Sequence, residues 1–262
     1  MRTLAIICAS ILVLSIIPLT DTFAAKPDRK FQVTVDSLKG TKTITLPDGR
    51  ILERNVHIFY KDGASHVPAH QKGGKSADTC YALLAKGAKW KATEPYIVDP
   101  ANIAGMTSEF VRQTTAASLA TWNAQVTSGI FGSEVSGVVN GIDQVAPDGQ
   151  NEVMFGSIDD PNVIAVTIIW GIFGGPPQGR ELVEWDAIFD DVDFAWGDAN
   201  ASNTPVMDYQ NIGTHEFGHA GGLGHPSDSC TEETMYRFAS VDETKKRDLN
   251  AGDIAGIKAL YK

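Results

Sequence analysis

Apolar and polar positions along the chain follow two periods, one helical and one of strands. Val111, Thr115, Leu119, Trp122 and Val126 recur at three and four, which predicts a helix over residues 107–126 with one buried face. Thr107 and Ser108 are good caps for its start, and Glu109 follows at once. Residues 151–155 and 163–170 are short, apolar, β-branched runs. They are bounded by the turns Pro147-Asp148-Gly149 and Asp159-Asp160-Pro161, and they predict two strands. After a break at Gly174-Gly175-Pro176-Pro177, Val183, Trp185, Ala187 and Phe189 alternate with Leu182, Glu184, Asp186, Ile188 and Asp190. That alternation predicts a one-sided strand whose other face is mostly polar.

Further strands are expected at residues 96–98, 31–35 and 55–60. Between the last two, residues 43–52 place Pro47-Asp48-Gly49, a turn signal, between β-prone runs. Residues 63–75 read as a polar connector. His57, His66 and His70 lack a cysteine-rich or H-x-H context, so they read as surface histidines and not as a second metal site.

At the start, Met1-Arg2 precedes an uncharged run from Leu4 to Leu19 and a small-residue site at Ala24-Ala25. This describes a secretory signal peptide over residues 1–25, with an uncleaved anchor as the alternative. Residues 26–88 form a β-rich pro-segment or accessory region, and residues 89–262 a catalytic domain. A net charge of −10 and a pI near 5 argue against nucleic acid as a partner. With the leader gone, Cys80 and Cys230 remain, and in an oxidising compartment they most simply form one disulfide.

The chemistry concentrates in residues 215–225, which read HEFGHAGGLGH. His215 and His219, four apart on a helix, present two imidazoles on one face. Glu216 can reach a water beside them without being a ligand. Gly222 can take positive φ and end the helix in a sharp turn, returning His225 as a third donor. Three imidazoles with an open fourth position are the pattern of a catalytic zinc site. The alternative, a pair of satisfied histidines on an ordinary helix, leaves the required Glu and Gly unexplained.

The pattern H-E-x-x-H-x-x-G-x-x-H resembles the metzincin metallopeptidases, and its surroundings resemble the matrixins among them. Thr234-Met235-Tyr236 is similar to their Met-turn. Leu249, Asp253, Ile254, Gly256, Ile257, Leu260 and Tyr261 resemble their closing helix, and residues 186–193 resemble the end of their D-A-H-F-D strand. The resemblance implies an α+β fold: a twisted mixed β-sheet, an active-site helix and a C-terminal helix. It implies Met235 as a hydrophobic floor under the histidines and Asp253 as a support of the Met-turn backbone. It also implies that residues 182–190 are a sheet edge with which extended peptides pair. Calcium carboxylates are implied at Asp190 and Asp193, with a solvated acidic turn as the alternative.

The departures from the family pattern are specific. Ile188 stands where the family has a structural-zinc histidine, so one catalytic Zn²⁺ is expected and that second zinc is not. Gly252 replaces the first of two paired aspartates, and Arg237 replaces a proline after Met-Tyr. Cys80 lacks the family's P-R-C-G-x-P-D context for a switch thiolate.

The expected function is therefore that of a secreted or cell-surface zinc endopeptidase. It would act as a monomer on extended polypeptide, with Glu216 as general base and then general acid. The competing reading is a proteolytically silent zinc-bearing module that binds extended peptides at a cell surface.

Overall fold

The computed structural model describes residues 28–64 and 79–261, so the leader, His66 and His70 lie outside the described residues. The first strands are β1 (Gln32–Val33), β2 (Thr43–Thr45), β3 (Ile51–Lys61), β4 (Ala82–Leu83) and β5 (Glu94–Val98). Helix α1 (Ser108–Asn123) leads to β6 (Phe131–Glu134), β7 (Glu152–Ile158), β8 (Val163–Ile172) and β9 (Glu181–Asp190). Then come β10 (Trp196–Gly197), β11 (Met207–Asp208), α2 (Tyr209–Ala220), β12 (Leu223–Gly224), β13 (Phe238–Ala239) and α3 (Ala251–Leu260).

The fold is α+β, built on one mixed, twisted sheet in the order β13-β3-β8-β9-β7-β5-β6, with β1 joined to β7 and β2 to β3. β5, β6, β7 and β9 pair parallel, while β8 runs antiparallel to both β9 and β3. Every residue of β8 is buried, because it has a strand on each side and packed layers on both faces. Its Val163, Ile164, Val166, Ile168 and Ile169 suit such a place, since β-branched side chains pack well on a pleated surface.

α1 and α2 cover one face, where Trp122, Trp185, Phe189, Ile212 and Phe217 are buried in one cluster. Phe31, Val33 and Leu38 cover the other face, packed in a second cluster with Ile58, Ile168, Trp170 and Ile188. Thr107 caps α1 by accepting from Phe110 N at 3.1 Å, and the helix ends at Asn123, three residues short of the predicted Val126. The Asn123 side chain closes that end, accepting from Ile130 N at 2.7 Å and donating to Phe131 O at 2.7 Å.

Two expectations about residues 182–190 are corrected. β9 is not a sheet edge: it lies between β7 and β8. Nor is its second face solvated, for Glu184 and Asp186 are buried beneath the loop that carries Asp143 and Asp148. Alternation reports two faces, and the polar one here is covered by chain distant in sequence.

Candidate metal centre and active site

α2 is buried on nearly every side, with only Gln210 partly exposed. Asp208 caps it, accepting from Asn211 N at 2.8 Å, and Arg247 binds the same carboxylate. A glycine allows the close packing. A Cβ on Gly218 would lie 2.2 Å from Met235 Sδ and 2.6 Å from Trp122 Cζ2. Met235 packs against α2 at Gly218, the residue before His219. α2 ends at Ala220, and Gly222 at φ +102 turns the chain, while Leu223–Gly224 pairs with Ala82–Leu83.

That turn brings the three histidines together. The Nε2 atoms of His215, His219 and His225 stand 3.1, 3.1 and 3.3 Å from one another. His215 Nδ1 lies 2.7 Å from Thr234 O, and His219 Nδ1 lies 2.8 Å from Leu223 O. A carbonyl can only accept, so each Nδ1 carries the hydrogen and each Nε2 presents a lone pair. Burial pushes His215 well below its ordinary value and His219 down to about 3, so both rings are neutral. Lone pairs at this separation repel unless a cation sits among them. Zinc–nitrogen bonds of about 2.0–2.1 Å in a tetrahedron put ligand nitrogens about 3.3–3.4 Å apart, so the triangle fits Zn²⁺.

Glu216 is buried beside this centre. Its Oε2 accepts from Thr167 Oγ1 of β8, and its Oε1 has no hydrogen-bond partner among the described residues. Burial pushes the carboxyl up to about 8, partly offset by the Thr167 hydroxyl. A dication on the three imidazoles would draw it back down. The Met-turn is held by Asp253, whose carboxylate accepts from Thr234 N at 2.7 Å, Met235 N at 3.1 Å and Asn250 N at 3.0 Å.

Cys80 and Cys230 are joined in a disulfide. It brings Cys80 against the start of α3: a Cβ on Gly252 would lie 2.2 Å from Cys80 O. An aspartate at that position has no room.

One expectation about the histidines is corrected. His57 is not a surface residue; it is 9% exposed, and its ring stacks on His219 with centroids 3.8 Å apart. Phe59, two residues on, stacks on His215 at 3.7 Å. Sequence gave no sign of either contact beyond a strand-like run with His57 and Phe59 on one face.

Comparison with known proteins agrees with this geometry. The sequence model of the matrixin family matches residues 175–262. Metalloendoproteinase 1-MMP of Arabidopsis thaliana is 38% identical over 65 residues, which is 24% of this chain and 17% of that protein. Matrilysin of Rattus norvegicus is 37% identical over 76 residues, 29% of this chain and 26% of that protein. Metalloendoproteinase 2-MMP of Arabidopsis thaliana is 34% identical over 91 residues, 33% of this chain and 21% of that protein. The chain thus spans about a quarter or less of the length of these relatives. These matches support a matrixin-type metzincin catalytic domain, with the family pattern lying over residues 175–262.

Two groups of carboxylates among the described residues could hold a further cation. Asp190 is buried, accepts from Val192 N at 2.9 Å, and is pushed up to about 7 by burial and by Asp193. Asp193 itself is exposed. The second group was not anticipated: Asp143, Asp148 and Glu184 place carboxylate oxygens within 4.8 Å of one another, and Asp186 lies beside them. Asp143 Oδ2, Glu184 Oε1 and Asp186 Oδ1 have no donor among the described residues. In sequence Asp148 read only as part of a turn, and Glu184 and Asp186 only as the polar face of a strand.

Proposed function

We propose that the chain is a secreted zinc endopeptidase that cleaves internal bonds of extended polypeptides. The observation that carries this is the convergence of three Nε2 atoms on one point, two of them hydrogen-free by their Nδ1 partners, with a buried glutamate next to the first of them in sequence. Zinc held there by His215, His219 and His225 supplies Lewis acidity toward a carbonyl and acidifies water. Glu216 takes the proton of the attacking water and delivers it to the departing amine. Thr167 holds one Glu216 oxygen, which leaves the other for that transfer. Thr234 and Leu223, through their carbonyls, keep His215 and His219 in the tautomer that donates a lone pair from Nε2.

Secretion rests on the leader-like residues 1–25, and on the oxidising compartment that the disulfide requires. No helix among the described residues is long and apolar enough to cross a membrane. Calcium is proposed at Asp190 and Asp193, where oxygen donors gather and the burial of Asp190 disfavours an uncompensated charge. Residues 26–88 are proposed as a β-rich pro-segment or accessory region, and residues 89–262 as the catalytic domain. The test is incubation of the full chain with a mixture of unfolded proteins. Internal cuts that a chelator abolishes and added zinc restores support the reading; a chain that binds zinc but cuts nothing, both as it stands and with His57 and Phe59 replaced by alanine, favours the silent peptide-binding module.

A further inference from the structure

The zinc histidines are buried: His215 and His219 are 0% exposed and His225 is 6% exposed. A polypeptide must bring a carbonyl to this point, yet part of the chain itself stands there. β3 runs antiparallel to β8 with His57 opposite Thr167 and Phe59 opposite Ala165. Thr167 is the residue whose hydroxyl binds Glu216, so β3 passes the base at His57. On its other side β3 pairs parallel with β13, Tyr60 opposite Phe238 and Lys61 opposite Ala239. The two backbone edges beside the centre are therefore both taken by one strand.

The side chains complete the block. His57 lies flat on His219, with 20° between the rings, and edge-on to His225 at 5.5 Å. One of its ring nitrogens lies within 4.8 Å of the donor atoms of His219 and His225. Phe59 is 1% exposed, parallel to the His215 ring within 7° and 6.0 Å from Lys246 Nζ. Alternate residues Leu52, Ile58 and Tyr60 point to the opposite face and join the second core cluster. β3 is thus laid into the sheet as an added strand is, with backbone pairing for affinity and alternate side chains seated in place.

We infer that β3 is a self-blocking strand: residues 51–61 occupy the groove along β8 that an extended polypeptide must enter, with His57 and Phe59 as its plug over the zinc histidines. The chain as folded is the closed form, and a substrate reaches Glu216 only when β3 leaves β8. An exposed-edge enzyme binds its peptide by adding a strand; here the strand is already added, so peptide binding and strand release are one exchange. The inference rests on the metal-site reading above.

The test uses the full chain loaded with cobalt(II), whose visible absorption reports its ligands, mixed with acetohydroxamate as a small chelating probe. In the wild type the spectral change should be slow, at a rate set by strand opening and independent of probe concentration. In His57→Ala/Phe59→Ala it should be at least about tenfold faster and proportional to the probe, as expected when a local opening step is removed. A wild-type response as fast as that of the double variant overturns the inference. If the variant does not fold, the wild type decides: a bound extended peptide hydroxamate should raise deuterium uptake across residues 51–61 several-fold. Unchanged uptake with the peptide bound overturns the strand's role. A chain that takes up no cobalt overturns the metal-site reading and this inference with it; uptake with open access overturns this inference alone.

Discussion

The carbonyl of Thr234 accepts from His215 Nδ1 at 2.7 Å, while the amide of Thr234 donates to Asp253 at 2.7 Å. The backbone of one residue thus connects α3 to the first of the three histidines. Asp253 is a positioning residue: it fixes the Met-turn backbone, and the backbone fixes the tautomer of His215. Replacing Asp253→Asn keeps the shape but turns one accepting oxygen into a donor facing an N–H. Zinc affinity should fall about 10–100-fold, the usual loss when a partner behind a ligand is removed. Competition against a chromogenic chelator measures it, and unchanged affinity would show that the Met-turn holds without Asp253.

Gly218 sits where no Cβ fits. Alanine in a helix is worth about 1 kcal/mol over glycine, which alone would make Gly218→Ala stabilising. The added carbon, however, meets Met235 Sδ at 2.2 Å and the Trp122 ring at 2.6 Å. Met235 can swing aside, but Trp122 is fully buried and its Nε1 donates to Thr214 O at 2.8 Å. Overpacking of this kind costs about 1–3 kcal/mol, so the net effect should be destabilising by up to about 2 kcal/mol. Urea unfolding of the zinc-loaded chain would read it, and a stabilised variant would contradict the packing described.

Glu184 sets a pH dependence. Burial, joined by the neighbouring carboxylates Asp143 and Asp148, pushes it from 4.5 up to about 8. A raised carboxyl keeps its proton in the folded chain where the unfolded chain has lost it, so this group's contribution to stability falls as pH rises from about 4.5 to about 8. Glu184→Gln should flatten that fall, and millimolar calcium should offset it in the wild type by neutralising the cluster. Thermal melts of zinc-loaded protein at the two ends of the window test this. A wild type whose stability has the same slope as that of the variant, with or without calcium, would refute it.

The Cys80–Cys230 bond closes a separation of 150 residues. Constraint of so long a loop in the unfolded chain is worth about 3–5 kcal/mol. Cys80→Ser/Cys230→Ser should lose that much stability in denaturant titration. The bond also ties the segment that pairs with Leu223–Gly224, whose Leu223 carbonyl holds His219. Zinc should therefore dissociate faster from the variant at a temperature where it is still folded; equal dissociation would limit the bond to a purely global role.

Local patterns carried much of this architecture. The spacing of His215, His219 and His225 with Gly222 marked the donor set, because a helix turn and a positive-φ glycine are local geometry. The stripe from Val111 to Trp122 and the Thr107 cap marked α1 for the same reason. β7, β8 and β9 were legible as strands, but their order was not. Alternation says that a residue faces one side or the other, and says nothing of which strand lies alongside. The edge position of residues 182–190 came from the family resemblance, and the polar face of Glu184 and Asp186 carried no sign of the loop that covers it. His57 was missed for the same reason: its meaning comes from pairing β3 with β8, residues more than a hundred positions apart. The Asp143–Glu184 cluster likewise exists only once the loop folds over β9.

The most direct measurement of the central claim compares zinc content and cleavage in one preparation. In the His57→Ala/Phe59→Ala background, which lacks the two side chains stacked on the histidines, Glu216 is kept or replaced by Ala. Each protein is incubated with unfolded polypeptides, and cuts are mapped by mass spectrometry. One zinc per chain is expected in both, with internal cleavage that drops by at least about a hundredfold when Glu216 is lost. Equal cleavage by the Glu216→Ala protein, with its zinc retained, would contradict it.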